Sequence, residues 1–178
     1  MKSKLIAVSA ISSALISIFL TIGAYVEFVD IIAILFSSAF VIIPLYYKSY
    51  KACFLTYLAG GLLGALFSLP MLLKSIVFPA YFGFFGLCPI LVWLFKDKKI
   101  NNILTYILFG IWFIIIAYGI YFFYVFVMNI PINDLPKIIS DNIYLFIFIF
   151  AILFYIVYLR FTYLLRVVED RLLRKIIK

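Results

Sequence analysis

The 178-residue sequence contains no histidine, and only 12% of its residues are charged. Without histidine, Ser-His and Cys-His nucleophile pairs are excluded, and so are histidine-ligated metal sites. The seven acidic residues lie at the edges of apolar runs or between them. None sits near the centre of a run, where a proton-coupled pump usually keeps a carboxylate. There is no Walker A loop for nucleotide hydrolysis. Cysteine is scarce: Cys53 and Cys88 are far apart, show no metal or redox spacing, and read as small apolar residues. The expectation is a protein that is not an enzyme, holds no cofactor or metal, and does not drive proton-coupled transport by itself.

What is present is apolar. Hydrophobic residues make up 69% of the chain, against roughly 45–50% in soluble domains. Uncharged runs cover 5–26, 31–47, 52–73, 75–95, 100–133 and 142–159. A helix needs roughly 20 residues to cross the hydrocarbon core, and lipid tolerates only helices or closed barrels. Runs this continuous lack the in-out alternation of barrel strands. The predicted fold is all-α, a single six-helix membrane domain. Its spans are expected near 5–26, 29–47, 52–70, 75–95, 101–128 and 140–163, with a cytoplasmic helical tail over 164–178. The first run is longer than a signal-peptide core and has no clear cleavage site, so it is read as a span.

Charge sets the expected orientation. With the N-terminus cytoplasmic, all 15 Lys and Arg except Lys74 and Lys137 fall on the cytoplasmic side. Basic residues favour that side, so both termini are expected inside. The formal net charge of +8 is therefore a topology signal. No soluble basic module with exposed aromatics points to nucleic acid. The richness in Lys, Ile, Asn and Phe suggests an AT-rich bacterial genome, and hence a bacterial cytoplasmic membrane.

The outer connections hold most of the chemistry: Glu27, Asp30, Lys74, Asn129, Asn133, Asp134, Asp141 and Asn142. Tyr81, Tyr118, Tyr121, Tyr124 and Tyr144 lie towards the same side. A tyrosine suits a ligand cavity and equally an interfacial aromatic belt. Small residues form two patterns. Gly60 and Gly64, with Gly61 and Ala65, sit four apart in "AGGLLGALFS" (59–68), a spacing for close helix packing inside a bundle. Ala7, Ala10, Ala14 and Ser17 recur at steps of three, four and three along the first span. That stripe can pack against a neighbour in the same bundle or against another protein.

Ala10-Ile-Ser-Ser-Ala14 is an AxxxA motif in the first of six helices, with both termini predicted inside. The combination resembles the S components of energy-coupling factor (ECF) transporters. The segments 30–70 and 81–99, with their basic turns and glycine-bearing helices, are similar to the second to fourth helices of that family. The resemblance implies a substrate-binding subunit that captures a vitamin-like micronutrient from outside. It implies partners too: a coupling membrane subunit, docked on Ala7, Ala10, Ala14 and Ser17, and two cytoplasmic ABC ATPases. It also implies an outward pocket built from helices four to six and the outer loops. By position, the candidates are Glu27, Asp30, Tyr81, Tyr118, Tyr121, Asn129, Asn133, Asp134, Asn142 and Tyr144. No signature identifies the substrate. The alternative is a cell-envelope scaffold similar to the rod-shape-determining membrane protein D family. A third reading, a lipid-handling enzyme or flippase, would need a polar cavity reaching the midplane.

Overall fold

The computed structural model describes residues 2–26, 28–98, 102–127 and 142–176. The described residues are helical and include no strand. Helix α1 is Lys2–Tyr25, and α2 is Asp30–Ile42 with a 3-10 continuation over Ile43–Tyr47. Helix α3 is Tyr50–Phe67. Short α4 (Val77–Ala80), a π-helical turn (Tyr81–Phe85) and α5 (Cys88–Asp97) together make the fourth span. Helix α6 (Asn102–Phe122) ends in a second π-helical turn, Phe123–Val127. Helix α7 (Ile143–Ile176) runs unbroken through the segment expected to be a tail. Six of these helical stretches are long and apolar enough to cross a membrane. Their outer surfaces carry exposed Ile and Leu, among them Ile11, Leu62, Leu66, Ile107 and Leu153. Such a surface suits lipid and not water.

The turns follow from local chemistry. Pro44 opens the 3-10 segment, and Lys48 closes it in the left-handed region at φ 54°. Ser49 then caps α3, its Oγ accepting the Ala52 N–H at 3.3 Å. Alternation of direction gives the bundle two ends. One, the basic end, carries Lys4, Lys48, Lys51, Lys96 and Lys98. The other, the mouth end, carries the connections after α1 and α3, the end of α6 and the start of α7.

Half of the bundle is drawn tight by glycine. The missing Cβ of Gly60 lies against Ile16, where an added Cβ would stand 2.7 Å from the Ile16 Cβ. Gly64 meets Leu20 in the same way at 3.1 Å. The two glycines thus join α1 to α3, as small residues do where lipid supplies no hydrophobic drive between helices. Gly61 receives the Tyr81 and Phe82 rings, and Gly86 receives the Tyr57 ring.

Candidate ligand cavity

The fourth span is irregular for identifiable reasons. Across the π turn the Gly86 N–H reaches back five residues to the Tyr81 carbonyl at 2.9 Å. Where the ladder changes register, the Phe82 carbonyl accepts the Tyr57 hydroxyl at 3.1 Å. Pro89 has no N–H with which to pair the Phe85 carbonyl. The Tyr158 hydroxyl of α7 donates to that carbonyl instead, at 3.3 Å. These bonds hold the fourth span close to α3 and anchor α7 midway along its length. Nearer the basic end, the Tyr155 hydroxyl donates to the Tyr106 carbonyl of α6 at 2.8 Å, with its ring over Gly110.

Towards the mouth end a cavity of about 610 Å³ opens between α2, the fourth span, α6 and α7. Ile31 and Ile34 of α2 form one wall, with Ile76, Ala80 and Phe85 of the fourth span beside them. From α6 come Phe113, Ile116, Ala117 and Ile120, and from α7 Phe146, Phe150 and Phe154. Among the described residues the only polar lining side chains are Tyr121 and Tyr124. A second cavity of about 550 Å³ adjoins it, sharing Ile76 and Tyr124. This one is lined by Tyr25, Asp30, Met71, Lys74 and Ser75 and by the backbone near Gly23. The two together form an apolar chamber with a charged vestibule. Tyr124 stands at the junction; among the described residues its buried hydroxyl has no hydrogen-bond partner.

Both π-helical turns border the chamber, one contributing Phe85 and the other Tyr124. Such turns are rare inside helices and frequent at functional sites, because the extra residue re-aims the side chains around it.

The sequence-derived candidates fall in different places. Asp30 lines the vestibule and Tyr121 the chamber. Tyr118 and Tyr144 meet on the α6–α7 seam, where the Tyr118 hydroxyl donates to the Tyr144 carbonyl at 2.8 Å. Tyr121 touches the same Tyr144 ring edge-on, with centroids 5.8 Å apart. Tyr81 is fully buried in the core, and its hydroxyl donates to the Tyr57 carbonyl at 3.2 Å. Asn142 starts α7, its carbonyl accepting the Phe146 N–H at 3.1 Å. Glu27, Asn129, Asn133 and Asp134 lie outside the described residues.

The first-span stripe divides. Ala7, Ala10 and Ala14 are exposed on the outside of the bundle, whereas Ser17 is buried. The ten residues from 7 to 17 fall about 80° short of three full turns, so the stripe winds towards α3. Sequence reasoning did not select Tyr124 or Lys74 as binding residues. Tyr124 continues the three-residue spacing of Tyr118 and Tyr121, the one signal that pointed to it. The apolar lining carried no signal, since nearly every neighbouring residue is equally apolar.

Compared with family models, curated proteins and solved structures, the chain matches none.

Proposed function

We propose that the chain is the substrate-binding S component of an ECF-type importer in a bacterial cytoplasmic membrane, with both termini inside. It captures a small micronutrient at the mouth end. A coupling membrane subunit and two ABC ATPases then drive uptake, and the chain itself catalyses no reaction. One observation carries this reading: the large chamber and its charged vestibule occupy the end opposite the basic loops. By the positive-inside rule that end faces outward. Chambers of roughly 300–1,000 Å³ with a few convergent polar groups are the usual form of small-molecule sites. The exposed alanines of α1 support a partner interface, since among the described residues no other helix of the bundle covers them.

Affinity purification of the tagged chain from its native host in mild detergent tests the proposal. Co-purification of a membrane subunit with two ABC ATPases is the expected result. Recovery of wall-synthesis proteins in their place would establish the scaffold alternative and overturn it.

A further inference from the structure

The chamber and vestibule differ so sharply in chemistry that they restrict what can occupy both. We infer that the site takes an amphiphile: an apolar body in the chamber and a small head bearing one cationic and one anionic group in the vestibule. This inference deepens the import reading and rests on it for the direction of capture.

The apolar body follows from the chamber wall. Among the described residues the lining apart from Tyr121 and Tyr124 is hydrocarbon, and five phenylalanines contribute to it. A polar solute in that space would leave its own donors and acceptors unpaired, which is costly in a medium without partners. The zwitterionic head follows from Asp30 and Lys74. Both line the vestibule, they carry opposite charge, and among the described residues neither has an ion-pair partner. Asp30 offers a carboxylate to an ammonium-like group, and Lys74 an ammonium to a carboxylate or phosphate. Charge-assisted contacts of this kind are the strong ones. Tyr124 supplies the third element. Its unpartnered hydroxyl sits where the two spaces join, at the level where the polar head of such a ligand meets its apolar body.

The test uses the whole chain in nanodiscs of phosphatidylglycerol alone, so that no zwitterionic lipid competes. The probe is 2-aminododecanoic acid, an amino-acid head on a ten-carbon tail, titrated by calorimetry. The controls are 2-aminobutanoic acid, which lacks the tail, and dodecanoic acid, which lacks the ammonium group. Saturable one-to-one binding of the probe is expected, about tenfold or more tighter than either control. Asp30→Asn and Lys74→Gln should each weaken it about tenfold. Ala117→Trp should abolish it by filling the chamber. Ile120→Trp serves the same purpose should the first variant fail to fold.

Non-saturable uptake that ignores Ala117→Trp is simple partition into lipid and overturns the inference. Equal binding of dodecanoic acid, or of the tail-less amino acid, overturns it as well. Repeating the titration with phosphatidylethanolamine in the disc separates the two sources of such a ligand. Competition assigns the occupant to the bilayer, and its absence assigns it to the aqueous side; the chemistry stands in both cases. Probe binding without ATPase partners would leave the amphiphile site standing and remove the importer. ATPase partners without probe binding would do the reverse.

Discussion

Tyr57 and Tyr81 bind each other's helices reciprocally. The Tyr81 hydroxyl donates to the Tyr57 carbonyl at 3.2 Å, and the Tyr57 hydroxyl donates to the Phe82 carbonyl at 3.1 Å. Their rings lie 5.4 Å apart, held there by the bare backbones of Gly61 and Gly86. Tyr81→Phe keeps the ring and removes one donor. Interhelical hydrogen bonds in lipid average about 0.6 kcal/mol and reach about 1.7. The variant should lower thermal stability in detergent by an amount in that range while leaving ligand affinity unchanged. A loss of binding with stability intact would place Tyr81 in the site.

The glycines are not equivalent. A Cβ at Gly60 would stand 2.7 Å from the Ile16 Cβ, and one at Gly86 would collide with the Tyr57 ring. One at Gly119 meets nothing within 4 Å. Gly60→Ala and Gly86→Ala should therefore destabilise by about 1–3 kcal/mol through overpacking. Gly119→Ala should be neutral or stabilising by up to about 1 kcal/mol, since glycine weakens a helix. Melting temperatures of the three variants, measured side by side, check the order.

Tyr124→Phe should separate stability from binding. Its hydroxyl is buried and, among the described residues, unpartnered, so deleting it removes a polar group that these residues leave unsatisfied. The empty protein should melt at the same temperature or higher, while affinity for the zwitterionic probe falls. Parallel loss of both would make Tyr124 a packing residue.

How far this organisation could be read from the sequence depended on contrast. The six spans were legible because charge is confined to their ends. Gly60 and Gly64 were legible as a packing face because two glycines four apart stand out in a run of leucines. The position of the chamber was not. In a helix apolar all round, no hydrophobic periodicity tells an inward residue from a lipid-facing one, and Ile116 and Ile115 read alike. The tyrosines show the same loss. Tyr121 lies about 60° backwards from Tyr118 around α6, and Tyr124 follows in the π turn. They pass from the helix seam, through the edge of the chamber, to its junction with the vestibule. Nor did Pro89 and Gly86 announce that they break the fourth span into a π turn, although proline's missing N–H is the physical cause of one orphaned carbonyl.

The exposed alanines allow a test that leaves the fold alone. Ala10 and Ala14 face outward, so Ala10→Trp with Ala14→Trp should change stability by no more than about 0.5 kcal/mol, as surface substitutions usually do. On the proposed import reading, recovery of a coupling subunit and ATPases should fall sharply. Normal assembly of the double variant would exclude this edge as the partner interface.

Orientation is open to direct labelling. Cys53 and Cys88 are both buried and should not react. On intact cells, a membrane-impermeant maleimide should label Lys74→Cys at once and Lys98→Cys only after permeabilisation. The opposite pattern would invert the topology and place the vestibule in the cytosol.

The hydroxyls of Tyr155 and Tyr158 both belong to the last helix, and both find their acceptors on helices made before it: Tyr106 and Phe85. On the membrane-spanning reading, α7 is made with two donors whose acceptors lie on helices already made, while the Phe85 carbonyl waits for one of them. The order in which the ribosome delivers the helices is the order in which their polar groups can be matched.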